Sequence, residues 1–228
     1  MPTLVLAHYT WVSPVAPLVP GKTSAVRISH GHQFPTSEEA INASQVQLYA
    51  LAPSGAKVLL TPTRAPGAVT SEYAVKEAGF HRIVMVQDRG ITSRTPKGAR
   101  PGGRSKNPDA ATASRTFRTA VAYVGTAGVK PVTPKPLGLE IELTAEPIAN
   151  GWRLQLLKNG AAVPGVDIQV FATGAASIAP AGKTGADGRV EYKGGKGPLL
   201  FTVEYKDKAP AGADYDTTNY ETSLYAGW

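Results

Sequence analysis

The chain has 228 residues, 42% of them apolar, which suits two domains of about 100 residues and is too apolar for a disordered chain. It has no cysteine, which excludes disulfides, thiolate nucleophiles and thiolate metal sites, and no apolar run reaches the roughly 18–20 residues of a membrane-spanning helix. The formal net charge of +7 is unevenly placed: residues 1–137 carry 16 Lys/Arg against 6 Asp/Glu, and residues 138–228 carry 8 against 11.

Residues 1–7 end in Leu4-Val5-Leu6-Ala7, a short apolar run with small residues three and one positions before His8. That pattern reads as the remnant of a signal peptide cleaved before His8, implying export. The basic leader and a full-length apolar region are missing, and an ordinary N-terminal strand fits the same residues.

The next segment, 8–124, predicts an N-terminal β-sandwich. Strand-like runs fall at 23–29, 45–51, 57–60, 72–75, 81–87 and 114–124, separated by turn signals such as Pro20-Gly21, Pro53-Ser54-Gly55 and Pro66-Gly67. Within it, residues 91–113 read as a basic, exposed and mobile loop. Arg100-Pro-Gly-Gly-Arg104 lacks the Gly-Lys-Ser/Thr signature of a phosphate loop, and no aromatic interleaves these cations before Phe117. Specific nucleic-acid binding is therefore not expected, only weak attraction to polyanions. Residues 125–137 form a Gly/Pro-rich stretch ending in Pro134-Lys135-Pro136, which reads as a semi-rigid linker. Residues 138–228 predict a C-terminal β-sandwich, with strands at 138–143, 152–158, 167–172, 189–192, 199–205 and 219–225 and a hairpin turn at Asp187-Gly188. The fold class expected is all-β, two immunoglobulin-like or transthyretin-like β-sandwich domains in tandem.

Catalytic patterns are scarce. There is no Gly-x-Ser-x-Gly elbow, and Glu140, Glu142 and Glu146 alternate as the solvent face of a strand would. No enzyme activity is expected. Tyr215, Tyr220, Tyr225 and Trp228 could stack on a sugar, though core and edge positions account for most of them.

The chemistry-bearing residues are the histidines. All four, His8, His30, His32 and His81, lie in the first half. His30-Gly31-His32 places two imidazoles on one strand face. If His8 begins the mature chain, its α-amino group and ring can chelate one metal, and a further imidazole would complete a three-nitrogen site suited to Cu²⁺, with Ni²⁺, Co²⁺ or Zn²⁺ also fitting. His8 reads equally as an exposed strand residue, with His32 hydrogen-bonded in the turn before Phe34-Pro35. His81 is an outside candidate, more often structural.

Several of these segments together resemble a known family. Ala7-His8-Tyr9-Thr10-Trp11-Val12, Val19-Pro20-Gly21 and Gly31-His32-Gln33-Phe34-Pro35 are similar to bacterial periplasmic proteins catalogued as a domain of unknown function, often labelled as periplasmic components of nickel or cobalt uptake. The resemblance continues through Gly79-Phe80-His81-Arg82, Ser114-Arg115-Thr116-Phe117, Val163-Pro164-Gly165-Val166, residues 184–189 and residues 212–216. It implies two β-sandwich domains, export and a metal link. Members commonly carry another histidine late in the second domain, whereas residues 82–228 have none, which speaks against a metal site between the domains. The expectation is a periplasmic, non-enzymatic protein that binds or handles a divalent transition metal (Cu, Ni, Co or Zn), with a membrane transporter or outer-membrane receptor as further partner. A structural or adhesion module without metal is the alternative, and a copper oxygenase with an N-terminal histidine the third reading.

Overall fold

The structure is a computed structural model that describes residues 8–130, 132–175, 177–194 and 197–227. The signal-peptide remnant expected at 1–7 and the aromatic Trp228 lie outside the described residues. Strands dominate, and the described residues include no α-helix. In chain order they are β1 (Tyr9–Pro14), β2 (Thr23–Gly31), β3 (Val46–Leu51), β4 (Lys57–Leu60), β5 (Thr63–Ala65), β6 (Ala68–Ala74), β7 (Phe80–Thr95), β8 (Gly98–Pro101) and β9 (Thr112–Gly125). There follow β10 (Ile141–Ile148), β11 (Gly151–Lys158), β12 (Ala161–Ala162), β13 (Asp167–Ala172), β14 (Ala179–Lys183), β15 (Arg189–Lys193), β16 (Leu199–Lys208) and β17 (Thr217–Gly227). A turn forms at Asp187-Gly188, closed by the Gly188 amide on the Gly185 carbonyl, but it does not join a hairpin, since β14 and β15 on either side of it lie in different sheets. Gly188 takes φ +72, and a Cβ there would meet the Leu156 carbonyl oxygen at 2.7 Å, so glycine is needed twice over.

A nine-stranded sheet runs β14-β13-β16-β17-β9-β7-β3-β4, with β8 paired to β7. A four-stranded sheet β1-β2-β6-β5 covers one face of its N-terminal part, and β10, β11, β12 and β15 form the second small sheet on the other. Side-chain alternation shows why. Ile83 and Met85 of β7, with Ala120, Ala122 and Val124 of β9, pack toward Val26, Ile28 and Val69. The intervening Val84, Val121 and Tyr123 pack toward Ile141, Leu143, Leu154 and Leu156. The centre of the nine-stranded sheet is thus apolar on both faces, as for a strand buried between layers.

This corrects the expectation of independently packed halves. β17 pairs parallel to β9 from Thr217 opposite Ser114 to Gly227 opposite Val124, so one sheet crosses the proposed boundary. One core contains Tyr49 and Val84 together with Phe201 and Leu224. The physical reason is the double-faced apolar run Ala120-Val-Ala-Tyr-Val124, which needs cover on two sides. The 125–137 stretch is fastened as well. Glu142 accepts hydrogen bonds from the Leu137 and Gly138 amides, and Arg82 donates to the Lys135 carbonyl at 2.7 Å. Glu142 is accordingly buried, not on a solvent face.

The basic segment is also not a mobile loop. β7 continues to Thr95 and returns as β8, and the residues after it are clamped onto the second half of the chain. Arg104 donates to both carboxylate oxygens of Asp216, at 3.0 and 2.9 Å, and to the Ala110 and Ala111 carbonyls. Asp214 accepts from the Ser105 amide at 2.7 Å and from its hydroxyl at 2.6 Å. Bidentate, multiply bonded arginine of this kind is the geometry in which an exposed ion pair holds structure. Native protein should therefore resist trypsin at Arg104 and Lys106, and Arg104→Ala should expose Lys106 to cleavage at least about tenfold faster, read by timed digestion and mass spectrometry. Equal cleavage rates in the two proteins would show that the clamp orders nothing.

Candidate metal centre

β1 and β2 pair antiparallel with Tyr9 opposite Gly31 and Thr10 opposite His30, so His8 enters the sheet beside the His30-Gly31-His32 segment. β1 is held firmly on its other side. Trp11 is buried edge-on against Phe34, Tyr9 packs on Phe171, and the Tyr9 hydroxyl donates to Gln169 Oε1 at 2.9 Å. Ser223 Oγ of β17 donates to the Thr10 carbonyl at 2.6 Å. Tyr9 and Trp11 thus pack and orient. Tyr220 stacks on Tyr205, and Tyr225 packs on Phe34, so both sit in the body of the fold rather than on a stacking surface.

Three imidazoles converge. The His8 ring centroid lies 5.0 Å from that of His30, with the planes near parallel, and 3.8 Å from that of His32. Two carboxylates that the sequence reading missed join them from the segment after the turn. The chain reverses at Gln33–Thr36, and the Glu38 and Glu39 amides both donate to the His30 carbonyl, at 2.9 and 3.2 Å. Gly31 makes room for this return, since a Cβ there would lie 3.1 Å from Glu38 Cδ and from the Thr36 carbonyl. An adjacent acidic pair in a half-chain with only six acidic residues, a few positions after two histidines, was the available signal.

The donors form two sets sharing His8, namely His8, His30 and Glu39, and His8, His32 and Glu38, each within 4.8 Å. Two ligands of one ion at bonds of roughly 2.0–2.2 Å stand about 3–4 Å apart. The first set is close to that: Glu39 Oε1 is 3.5 Å from His30 Nε2 and 3.8 Å from His8 Nε2. In the second, His32 Nδ1 and Glu38 Oε2 are 2.7 Å apart, a hydrogen bond rather than a ligand pair. His30 is also oriented from behind, its Nδ1 lying 2.8 Å from Thr10 Oγ1. With the proton on Nδ1 and the hydroxyl accepting it, Nε2 keeps its lone pair toward His8 and Glu39, the arrangement usual behind metal-binding histidines.

Electrostatics keep the set ready. Burial, followed by the Arg118 charge, lowers the His30 pKa to about 4, so this imidazole is neutral at any ordinary pH. The Glu38 carboxyl is held below its usual range chiefly by the hydrogen bonds it accepts from His32, backbone then side chain. The His30 shift also has a stability consequence. The folded protein takes up this proton less readily than the unfolded chain, so the contribution is complete above about pH 6.5 and is lost as pH falls from there toward 4. About 2.5 units of difference corresponds to roughly 3 kcal/mol. Urea denaturation of metal-free protein at pH 7.5 and pH 4.5 should show the stability advantage of wild type over His30→Asn shrinking by an amount of this order. Parallel pH profiles would refute it.

His81 is corrected to a structural residue. It is fully buried, its Nδ1 accepts from the Tyr73 hydroxyl at 2.9 Å, and its Nε2 donates to the Glu77 carbonyl at 3.1 Å. It belongs to neither donor set.

The family model described as "Domain of unknown function (DUF4198)" matches residues 5–207. No curated protein matches the chain. Among solved structures, native alpha-2-macroglobulin from Escherichia coli spanning domains NIE-MG1 is similar at 13% identity, covering 92% of this chain and 96% of that one, with a TM-score of 0.22. At that score the likeness carries no argument, and the all-β class rests on the strands themselves.

Proposed function

We propose, for a chain that belongs to the DUF4198 family, that it is a non-enzymatic, exported protein that binds a divalent transition ion through His8, His30 and Glu39, with His32 and Glu38 flanking. The observation that carries this reading is the meeting of those three donors from three separate stretches of chain, with His30 oriented by Thr10. Mixed imidazole and carboxylate donors suit Cu²⁺, Ni²⁺, Co²⁺ and Zn²⁺ more than Ca²⁺ or Mg²⁺. Export with cleavage before His8 would add its α-amine as a further nitrogen. A periplasmic location and delivery to a membrane transporter or receptor belong to the same proposal.

Titration calorimetry of protein beginning at His8 should give micromolar or tighter binding, Cu²⁺ first and Ni²⁺ or Zn²⁺ behind it. Protein retaining residues 1–7 should bind Cu²⁺ more weakly, because its His8 nitrogen is an amide. No Cu²⁺ or Ni²⁺ binding at micromolar concentration would discard the metal reading in favour of a structural module.

A further inference from the structure

The two donor sets meet at a single atom. His8 Nε2 stands 3.8 Å from Glu39 Oε1 and 3.9 Å from Glu38 Oε2. One ring nitrogen carries one lone pair, so it can share an ion with His30 and Glu39 or with His32 and Glu38, but not with both at once. Each ion position would lie about 2 Å from that nitrogen, which puts the two within about 4 Å of each other. The cluster thus has two neighbouring places for one ion.

The two places differ in access. At the first, Thr10 orients His30 and the Glu39 distances suit shared coordination, but the His30 side chain is only 8% exposed. At the second, the His32 side chain is 27% exposed, and its ring centroid lies 3.8 Å from that of His8, itself 40% exposed. Glu38 accepts from His32 Nδ1 at 2.7 Å and from the His32 amide at 2.9 Å. Glu38 therefore steadies His32 much as Thr10 steadies His30, and leaves His32 Nε2 as the free donor. A hydrated ion arriving from solvent meets the His8 and His32 rings before the buried one. Glu39, 61% exposed, has room to follow the ion and close over it.

We infer that His8 and His32, steadied by Glu38, form a loading position from which a divalent transition ion passes to His8, His30 and Glu39, where it is held. This rests on the metal reading above and adds the route by which the ion enters and leaves. In the exchange His32 Nε2 releases the ion as His30 Nε2 takes it. His8 Nε2 stays bound throughout, and both Nδ1 protons remain where they are.

Ni²⁺ association and dissociation should be timed by stopped flow against a chelating indicator dye. The full 228-residue chain is used, so that the His8 nitrogen is an amide and side chains alone bind. Removing a group needed only along the route slows both rates by one factor and leaves Kd in place, whereas removing a ligand of the resting ion mainly speeds dissociation. His32→Ala, checked for an unchanged melting temperature, should slow both rates about tenfold and keep Kd within about threefold. His30→Ala should mainly speed dissociation, and the weak binding it retains should sit at the loading position. Adding His32→Ala to that protein should then weaken Ni²⁺ binding at least about tenfold further. Unchanged rates in His32→Ala, or faster dissociation there, would overturn the inference even if Ni²⁺ binds tightly. Equal affinity of the His30→Ala protein with and without His32 would overturn it as well, as would two ions per chain. No Ni²⁺ binding under any condition would instead defeat the metal reading beneath it.

Discussion

His8→Ala is expected to weaken Cu²⁺ binding at least about tenfold to a hundredfold, since loss of a residue that merely orients a ligand already has that effect. His8 belongs to both donor sets, so its removal leaves neither intact. His30→Ala and Glu39→Gln should each weaken binding comparably, because Glu39 Oε1 stands at ligand-pair distances from both ring nitrogens. His32→Ala should cost less, as its Nδ1 is engaged by Glu38. His81→Ala should leave affinity within about twofold while lowering the melting temperature, since Tyr73 and Glu77 would each lose a buried partner. If His32→Ala rather than His30→Ala abolishes binding, the ion sits in the other set. If His8→Ala and His81→Ala are indistinguishable, the cluster is not a metal site.

The second large effect concerns the sheet. Leu224 of β17 is fully buried in the core that contains side chains from both halves of the chain. Leu224→Ala should destabilise by about 2–5 kcal/mol, the usual range for a buried leucine in a close-packed site. More tellingly, the loss should appear in one transition. Of the three tryptophans, Trp11 of β1 and Trp152 of β11 report the opposite small sheets by fluorescence in a Trp228→Phe background, while far-ultraviolet circular dichroism reports all the strands. Coincident urea curves from both probes, shifted together by the substitution, are expected. Two separated transitions, with only one moved by Leu224→Ala, would restore independent domains.

Much of this was legible in the chain. Alternation and turn residues located most strands, and Asp187-Gly188 announced a turn, though not a hairpin. The same-face spacing of His30 and His32 suggested one shared ion, whereas the two rings fall in separate donor sets that have His8 in common. What sequence periodicity could not reveal was how many faces of a strand are covered. Residues 119–124 are buried on both sides, and that reads as a generic apolar run rather than as a seam between halves. Short edge strands such as β5, β8, β12 and β14 carry too few residues for a period. The basic stretch misled because charge suggested solvent, while Arg104 and Asn107 spend their donors on backbone carbonyls and acidic partners distant in sequence. The Glu38–Glu39 pair entered the site only through a chain reversal around Phe34-Pro35, which no spacing rule connects to His8.

The parallel ladder between β9 and β17 joins residues such as Thr119 and Thr222, 103 positions apart. Contacts of that separation are slow to form, because a long loop must close before any of them contributes. Until β17 arrives, β9 presents an unpaired edge whose residues 119–124 are all apolar or small, a template for pairing with another chain. A polypeptide emerging amino end first, from a ribosome or through a translocation pore, would carry that open edge for nearly half its length. Its yield in cells should therefore depend on how soon the edge is capped, and less on the stability of the finished fold.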